Sequence, residues 1–319
     1  MKNNKILVSV VNYCDPEFYF TVKSLWDSAE DKENLFFSLV SEDSVMFDFS
    51  FIPTTQIRYL HYDLSEYRGG LCWARNLAVK IDIEYDYFIQ FDSHTYASNG
   101  WDTLAISRYK KLQEDNKKFI IAFAPADYEI LEDGSIDTNS GNITSVFANN
   151  YSALIPGFTF PFYESLEIDK SVRSFWATCC YLLAPRSWVE EVGISEHESF
   201  NTEEFVLSLR TFAAGWDIFS IGTRDVFHHQ SHRQQNGTIT RQTLRPWADD
   251  RKEYYWDHVQ KSTDRLSMLM SGQLDVDIEK AQEFFKHIGL SSKYLSFISN
   301  YSSHVVIENR ALGMPPRRD

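Results

Sequence analysis

The strongest constraint on the fold is a short apolar run that stops at a polar turn, an arrangement that the chain repeats. Residues 6–11, Ile-Leu-Val-Ser-Val-Val, are mostly β-branched and read as a strand buried on both faces. The run stops at Asn12-Tyr13-Cys14-Asp15-Pro16, where Asn, Asp and Pro favour a turn. Phe18, Val22, Leu25 and Ala29 then recur at helical spacing and predict an amphipathic helix. Residues 35–40 and 57–60 supply a second and a third strand, and Gly69-Gly70 opens a helical segment over 71–80. A further strand, 87–91, runs directly into Asp92, and 119–123 is another apolar run. Strands alternating with helices predict an α/β domain with a mainly parallel sheet. Such sheets bind ligands at the carboxyl ends of their strands, which singles out the loops after Val11 and after Phe91.

Residues 133–159 are rich in Asn, Ser, Gly and Thr and read as a long loop or lid. From about Pro246 the pattern becomes helical, with Ala281, Phe284, Phe285 and Ile288 on one apolar face. This divides the chain into a catalytic-type α/β domain over 1–245 and a helical C-terminal extension over 246–319. The net charge of −14 opposes a phosphate backbone, so no nucleic acid is expected as a partner. No run of about 20 apolar residues occurs, so neither a membrane span nor a permanent membrane anchor is expected. The opening residues lead into a strand rather than a signal peptide. Cys14, Cys72, Cys179 and Cys180 lack metal-type C-x-x-C spacing and read as free thiols of a cytoplasmic protein. Trp101, Trp176 and Trp216 offer flat walls for a sugar or peptide groove, although core packing accounts for most tryptophans.

The chemistry concentrates after Phe91. On an extended chain Asp92 and His94 project to the same side, presenting a carboxylate and an imidazole together at a strand end. An oxygen and a nitrogen donor suit Mn²⁺ or a similar divalent ion such as Mg²⁺, and a bound diphosphate would supply further oxygens. By spacing alone, a turn-capping Asp and a surface His fit as well. His228, His229 and His232 lie close together in sequence and offer a third donor. Glu203-Glu204 follow Thr202 at the start of an apolar-periodic segment, where acidic residues complement a helix N-terminus or face a ligand. Arg68, Gly69 and Gly70, with Arg75 in the helix that follows, suit a phosphate; surface ion pairs are the alternative use of both arginines.

Taken in order, these segments resemble the N-acetylglucosaminyltransferases that modify hydroxyproline on a eukaryotic cytoplasmic protein, distant relatives of the polypeptide N-acetylgalactosaminyltransferases. The resemblance runs from residues 6–16 through Arg75, Gln90-Phe91-Asp92-Ser93-His94 and Trp101-Asp102. It continues over 200–204, over 210–217, and through His229-Gln230-Ser231-His232-Arg233. It implies a GT-A (Rossmann-like) glycosyltransferase fold, a UDP-sugar donor, a divalent metal (usually Mn²⁺) and transfer with retention of configuration. By position, Asp92, His94 and His229 match the metal ligands, with His228 one residue away as the competing choice. Ser9 and Asn12 fall in the loop expected to meet the nucleotide, Arg68 and Arg75 near diphosphate or nucleotide, and Glu203 near the reacting sugar or acceptor. Cys14, Thr202 and Ser231 depart from the family pattern, where arginine, glycine and tyrosine stand. The expected activity is transfer of a sugar, GlcNAc by resemblance, to a hydroxyl on a protein or glycan. A sugar-binding relative without catalysis and a metal-dependent hydrolase are the competing readings.

Overall fold

The computed structural model describes residues 4–65, 69–131, 133–139, 146–155, 158–199, 202–229, 234–235, 238–239, 252–270, 273–274 and 276–287. Its centre is an eight-stranded sheet. β1 (Ile6–Tyr13), β2 (Leu35–Glu42), β3 (Ile57–Tyr62) and β4 (Tyr87–Phe91) run parallel in the order β3-β2-β1-β4. A short β5 (Thr95–Ala97) follows β4, and β6 (Phe119–Ala122) rejoins the main sheet. β7 (Ala126–Asp127) and the pairs β8 (Glu129–Ile130) with β9 (Ile136–Asp137) and β10 (Val146–Ile155) with β11 (Phe158–Ser165) belong to side structures. β12 (Ser171–Ser174), β13 (Tyr181–Pro185) and β14 (Asp217–Ile221) complete the sheet in the order β12-β14-β6-β13-β4.

Period-two alternation builds the layers. Ile6, Val8 and Val10 of β1 point to one face, Leu7 and Val11 to the other, and all are buried. The first face is covered by α1 (Phe18–Ser28) and α3 (Trp101–Gln113), through Phe18, Val22 and Leu25 and through Trp101 and Tyr109. The second is covered by α2 (Leu71–Val79), α4 (Arg186–Glu191) and α5 (Glu203–Ala213), through Ala74, Ala78, Trp188 and Leu207. Each fully buried side chain of this size contributes roughly 1.5–3 kcal/mol relative to exposure, which is why the central strands read so clearly.

The sheet is mainly parallel, as expected, with six of its eight strands running one way and two reversed. β13 runs antiparallel to both neighbours, β4 and β6, and β12 runs antiparallel to β14. An apolar run such as Leu182-Leu183-Ala184 marks a strand, but its direction depends on distant partners. The polar stretch 133–159 is not simply a loop: β9 and most of the β10–β11 hairpin lie within it. Residues 140–145 and 156–157 of that stretch lie outside the described residues. β15 (Val226–His228) pairs antiparallel with β5 and parallel with β7, carrying a C-terminal segment back toward Asp92. β16 (Gln234–Gln235) and β17 (Thr238–Ile239) form a further short pair.

The expected boundary near residue 245 lies outside the described residues. Beyond it, α6 (Lys252–Met270) and α7 (Ile278–His287) supply helices. Ala281, Phe284 and Phe285 of α7 pack with Phe205, Val206 and Leu209 of α5, while Ile288 falls outside the described residues. Among the described residues no helix is long and apolar enough to cross a membrane.

Candidate active site

The carboxyl ends of β1, β2 and β4 meet a second layer of side chains carried by α2, α5 and β15. Arg75, on the buried face of α2, stands between two carboxylates. Its guanidinium donates to Glu203 Oε2 at 2.5 Å and to Asp92 Oδ1 at 2.6 Å. Burial opposes charge on Arg75, yet Glu203 and Asp92 beside it more than offset that and hold it protonated. Glu203 Oε1 and Arg75 Nε are buried and have no hydrogen-bond partner among the described residues. Asp92 Oδ2 faces His228 Nε2 at 3.2 Å. Burial pushes the Asp92 carboxyl upward, but the hydrogen bond from His228 and the charge of Arg75 outweigh it, so Asp92 stays well below the ordinary carboxylate range.

His94 is fixed from behind. The buried Asp15, in the turn after β1, accepts from Ser93 Oγ at 2.8 Å and pairs with His94 Nδ1 at 2.8 Å. A neutral imidazole donating from Nδ1 carries its lone pair on Nε2, the usual arrangement behind a metal-binding histidine. The His94 ring lies edge-on to that of His228, with centroids 4.4 Å apart. His229 is placed differently. Its Nδ1 lies 2.6 Å from Glu17 Oε1, its ring is 5.1 Å from that of Tyr128, and its backbone N–H donates to His94 O. Strand alternation explains the difference: His228 shares a side with Val226, while His229 follows on the opposite side, against a buried carboxylate.

The remaining expected site residues are distributed as follows. Asn12 is buried at the end of β1, where its amide donates to Ser41 Oγ and Asp43 Oδ2 and its carbonyl accepts from Asp15 N–H. Ser9 lies within the sheet rather than in the loop; it is fully buried and donates to Gln90 Oε1 at 2.8 Å. The strand expected over 6–11 already contains Ser9; it continues to Tyr13, and its pairing with β4 sets Ser9 beside Gln90. Arg68 lies outside the described residues. The next two residues are anchored, since Glu42 accepts from the backbone N–H groups of Gly69 and Gly70. Gly70 adopts φ +82°, a conformation that favours glycine, as α2 begins. Asp102 is buried and accepts from Glu30 N–H and Asp31 N–H, so the Trp101-Asp102 pair braces the chain behind α1. Trp101, Trp176 and Trp216 are all buried.

Several contributors had no local sequence signal. Asp15 reads only as a turn residue and Glu17 carries no signal of its own, yet they hold His94 and His229. Glu204 accepts from Trp176 Nε1 at 2.8 Å and from Cys179 N–H at 3.0 Å; burial pushes its carboxyl up to about 7 despite those two donors. Cys180 comes to Asp92 across the β4–β13 pairing. A strand-period reading of Val226 and His228 is the one signal that favours His228 over His229.

The Glycosyltransferase (GlcNAc) family model matches residues 48–295. No curated protein sequence matches the chain. Among solved structures, GalNAc-T7 with UDP, GalNAc and Mn²⁺ is similar over 98% of this chain and 59% of its own, at 13% identity and a TM-score of 0.51. The chain therefore spans 59% of that relative's length, and the likeness shows a shared GT-A fold. S. aureus TarS 1-349 in complex with UDP-GlcNAc aligns over 99% of this chain and 94% of its own, at 13% identity and a TM-score of 0.46.

Proposed function

Because the chain belongs to the Glycosyltransferase (GlcNAc) family, we propose that it moves a sugar, GlcNAc in the first instance, from a UDP-sugar to an acceptor hydroxyl with retention of configuration. The observation that carries this reading is the relay from buried Glu203 and Arg75 to half-buried Asp92 and His228 at the carboxyl ends of parallel strands. Its donor set fits a divalent cation: Asp92 is ionised, and the imidazoles of His94 and His228 stand beside it. We assign the ion to Asp92, His94 and His228, and give His229 the role of bracing Glu17 behind them. When bound, such an ion would neutralise charge growing on the departing diphosphate.

The protein's own groups do the rest. Asp15 orients His94, and Arg75 bridges two carboxylates, giving one guanidinium N–H to Asp92 and another to Glu203. Glu203 Oε1, buried without a partner, is placed to accept a hydroxyl of the donor sugar or acceptor, a positioning role and not that of a nucleophile. Asn12 holds the β1 and β2 ends together where the nucleotide would lie. The acceptor is a protein or glycan hydroxyl, and a hydroxyprolyl peptide is the first to test. Free thiols at all four cysteines agree with a reducing compartment such as the cytoplasm.

UDP release from UDP-GlcNAc with Mn²⁺ and acceptor, compared between wild type and Asp92→Asn, tests this reading. The expected result is a loss of at least about 100-fold in turnover, the range typical of removing an electrostatic contributor, in a protein that still unfolds cooperatively at a lower melting temperature. Metal-dependent stabilisation by UDP without any UDP release would favour a sugar-binding relative. Turnover without a nucleotide would favour a hydrolase. Full activity in Asp92→Asn would remove the metal assignment.

A further inference from the structure

Cys180 owes its position to the antiparallel strand inserted in the sheet. β13 pairs with β4 in the register Leu182↔Gln90 and Tyr181↔Phe91. One step further along this register sets Cys180 opposite Asp92, immediately beyond the paired residues. Directly opposed residues of an antiparallel pair project to the same face, so thiol and carboxylate meet. β15 delivers His228 to the same point by pairing with β5, the strand that follows Asp92-Ser93-His94. One donor atom each from Asp92, Cys180 and His228 all lie within 4.8 Å of one another, and all three residues are half-buried. Oxygen, nitrogen and sulfur ligands around one small divalent ion stand roughly 3–4 Å apart, given bond lengths of about 2.0–2.3 Å. Side-chain adjustment alone closes this cluster around an ion.

The other thiols are placed differently. Cys72 and Cys179 are buried, and the Cys14 thiol faces the Glu42 carbonyl oxygen. Neither Cys72, Cys179 nor Cys14 belongs to a donor cluster of this kind among the described residues.

We propose that Cys180 is a metal ligand, so that a thiolate joins the Asp92 carboxylate and the His228 imidazole around the ion, beside His94. The inference rests on the reading of Asp92 as part of a metal site and adds a sulfur donor to it. On binding, the thiol proton passes to solvent and a sulfur–metal bond forms, with no change of oxidation state. A sulfur donor shifts preference toward thiophilic ions such as Zn²⁺, Co²⁺ and Cd²⁺, relative to the same site bearing oxygen.

The test is a Co²⁺ titration of the full chain, wild type and Cys180→Ser, followed by absorption. The wild-type complex should show a thiolate-to-Co²⁺ charge-transfer band in the near ultraviolet. Cys180→Ser should still bind Co²⁺ but lack that band, and its Co²⁺-to-Mn²⁺ affinity ratio should fall about tenfold or more. A band that survives in Cys180→Ser, or Co²⁺ bound by the wild type without the band, overturns the thiol assignment and leaves the Asp92 site standing. Failure of the wild type to bind either ion overturns both. Should Cys180→Ser fold poorly, alkylation of the wild type followed by mass spectrometry decides the matter. Zn²⁺ is then expected to slow modification of Cys180 and not of Cys14; equal Cys180 rates with and without Zn²⁺ overturn the proposal.

Discussion

At Asp15 two hydrogen bonds converge on one carboxylate oxygen, from Ser93 and from His94. That oxygen fixes which nitrogen of His94 carries the proton, and so which one is presented to a ligand. Asp15→Asn keeps the shape but removes the charge and half of the acceptor capacity. We expect Mn²⁺ affinity, read by electron paramagnetic resonance titration, to fall about 10–100-fold, with the melting temperature moving much less. Unchanged affinity would reduce Asp15 to a turn residue. The same scale explains the His228 and His229 outcome. Two adjacent histidines on an extended segment point to opposite sides, and only the side with Val226 reaches Asp92.

Among the elements, α5 does two jobs at once. Its first turn presents Glu203 to Arg75 and Glu204 to Trp176 and Cys179. Its buried Phe205 and Leu209 meet Phe284 and Phe285 of α7, with the Phe205 and Phe285 rings stacked 6.0 Å apart. The C-terminal helices thereby clamp the helix that carries the site's carboxylates. Phe284→Ala leaves a cavity at this contact and should cost about 3–5 kcal/mol in urea unfolding. A loss below about 1 kcal/mol would mean that α7 adds little to the fold. β13 is the other element with a double role, since its antiparallel insertion both joins β4 to β6 in the sheet and delivers Cys180.

For the whole molecule, the buried carboxyl of Glu204 links stability to pH. Burial raises it from an ordinary value of 4.5 to about 7, against the pull of the Cys179 and Trp176 donors. A folded carboxyl that binds its proton more tightly than the unfolded chain contributes most below about 4.5, and that contribution is lost as pH climbs through about 7. Glu204→Gln removes this titration. Its melting temperature should therefore decline less than that of wild type between about pH 5 and about pH 7. Identical slopes for the two proteins would show that Glu204 titrates normally.

The sequence by itself determined the central strands, the amphipathic helices and the position of Asp92 at a strand end. Those features are local, written in β-branched runs, helical spacing and turn residues, and burial enforces them. It also determined that Arg75 and Glu203 belong near Asp92, through the order of motifs rather than through geometry. The direction of β13, the approach of His228 rather than His229 to Asp92 and the arrival of Cys180 beside it depend only on tertiary structure. Each depends on pairing between segments far apart in the chain, such as Tyr181 with Phe91 and Val226 with Ala97. A one-residue change in such a register exchanges the side chains on a face, and no local pattern records which register is adopted. Ser9 shows the same limit in reverse: the resemblance put it with the nucleotide loop, and the pairing of β1 with β4 holds it inside the sheet against Gln90.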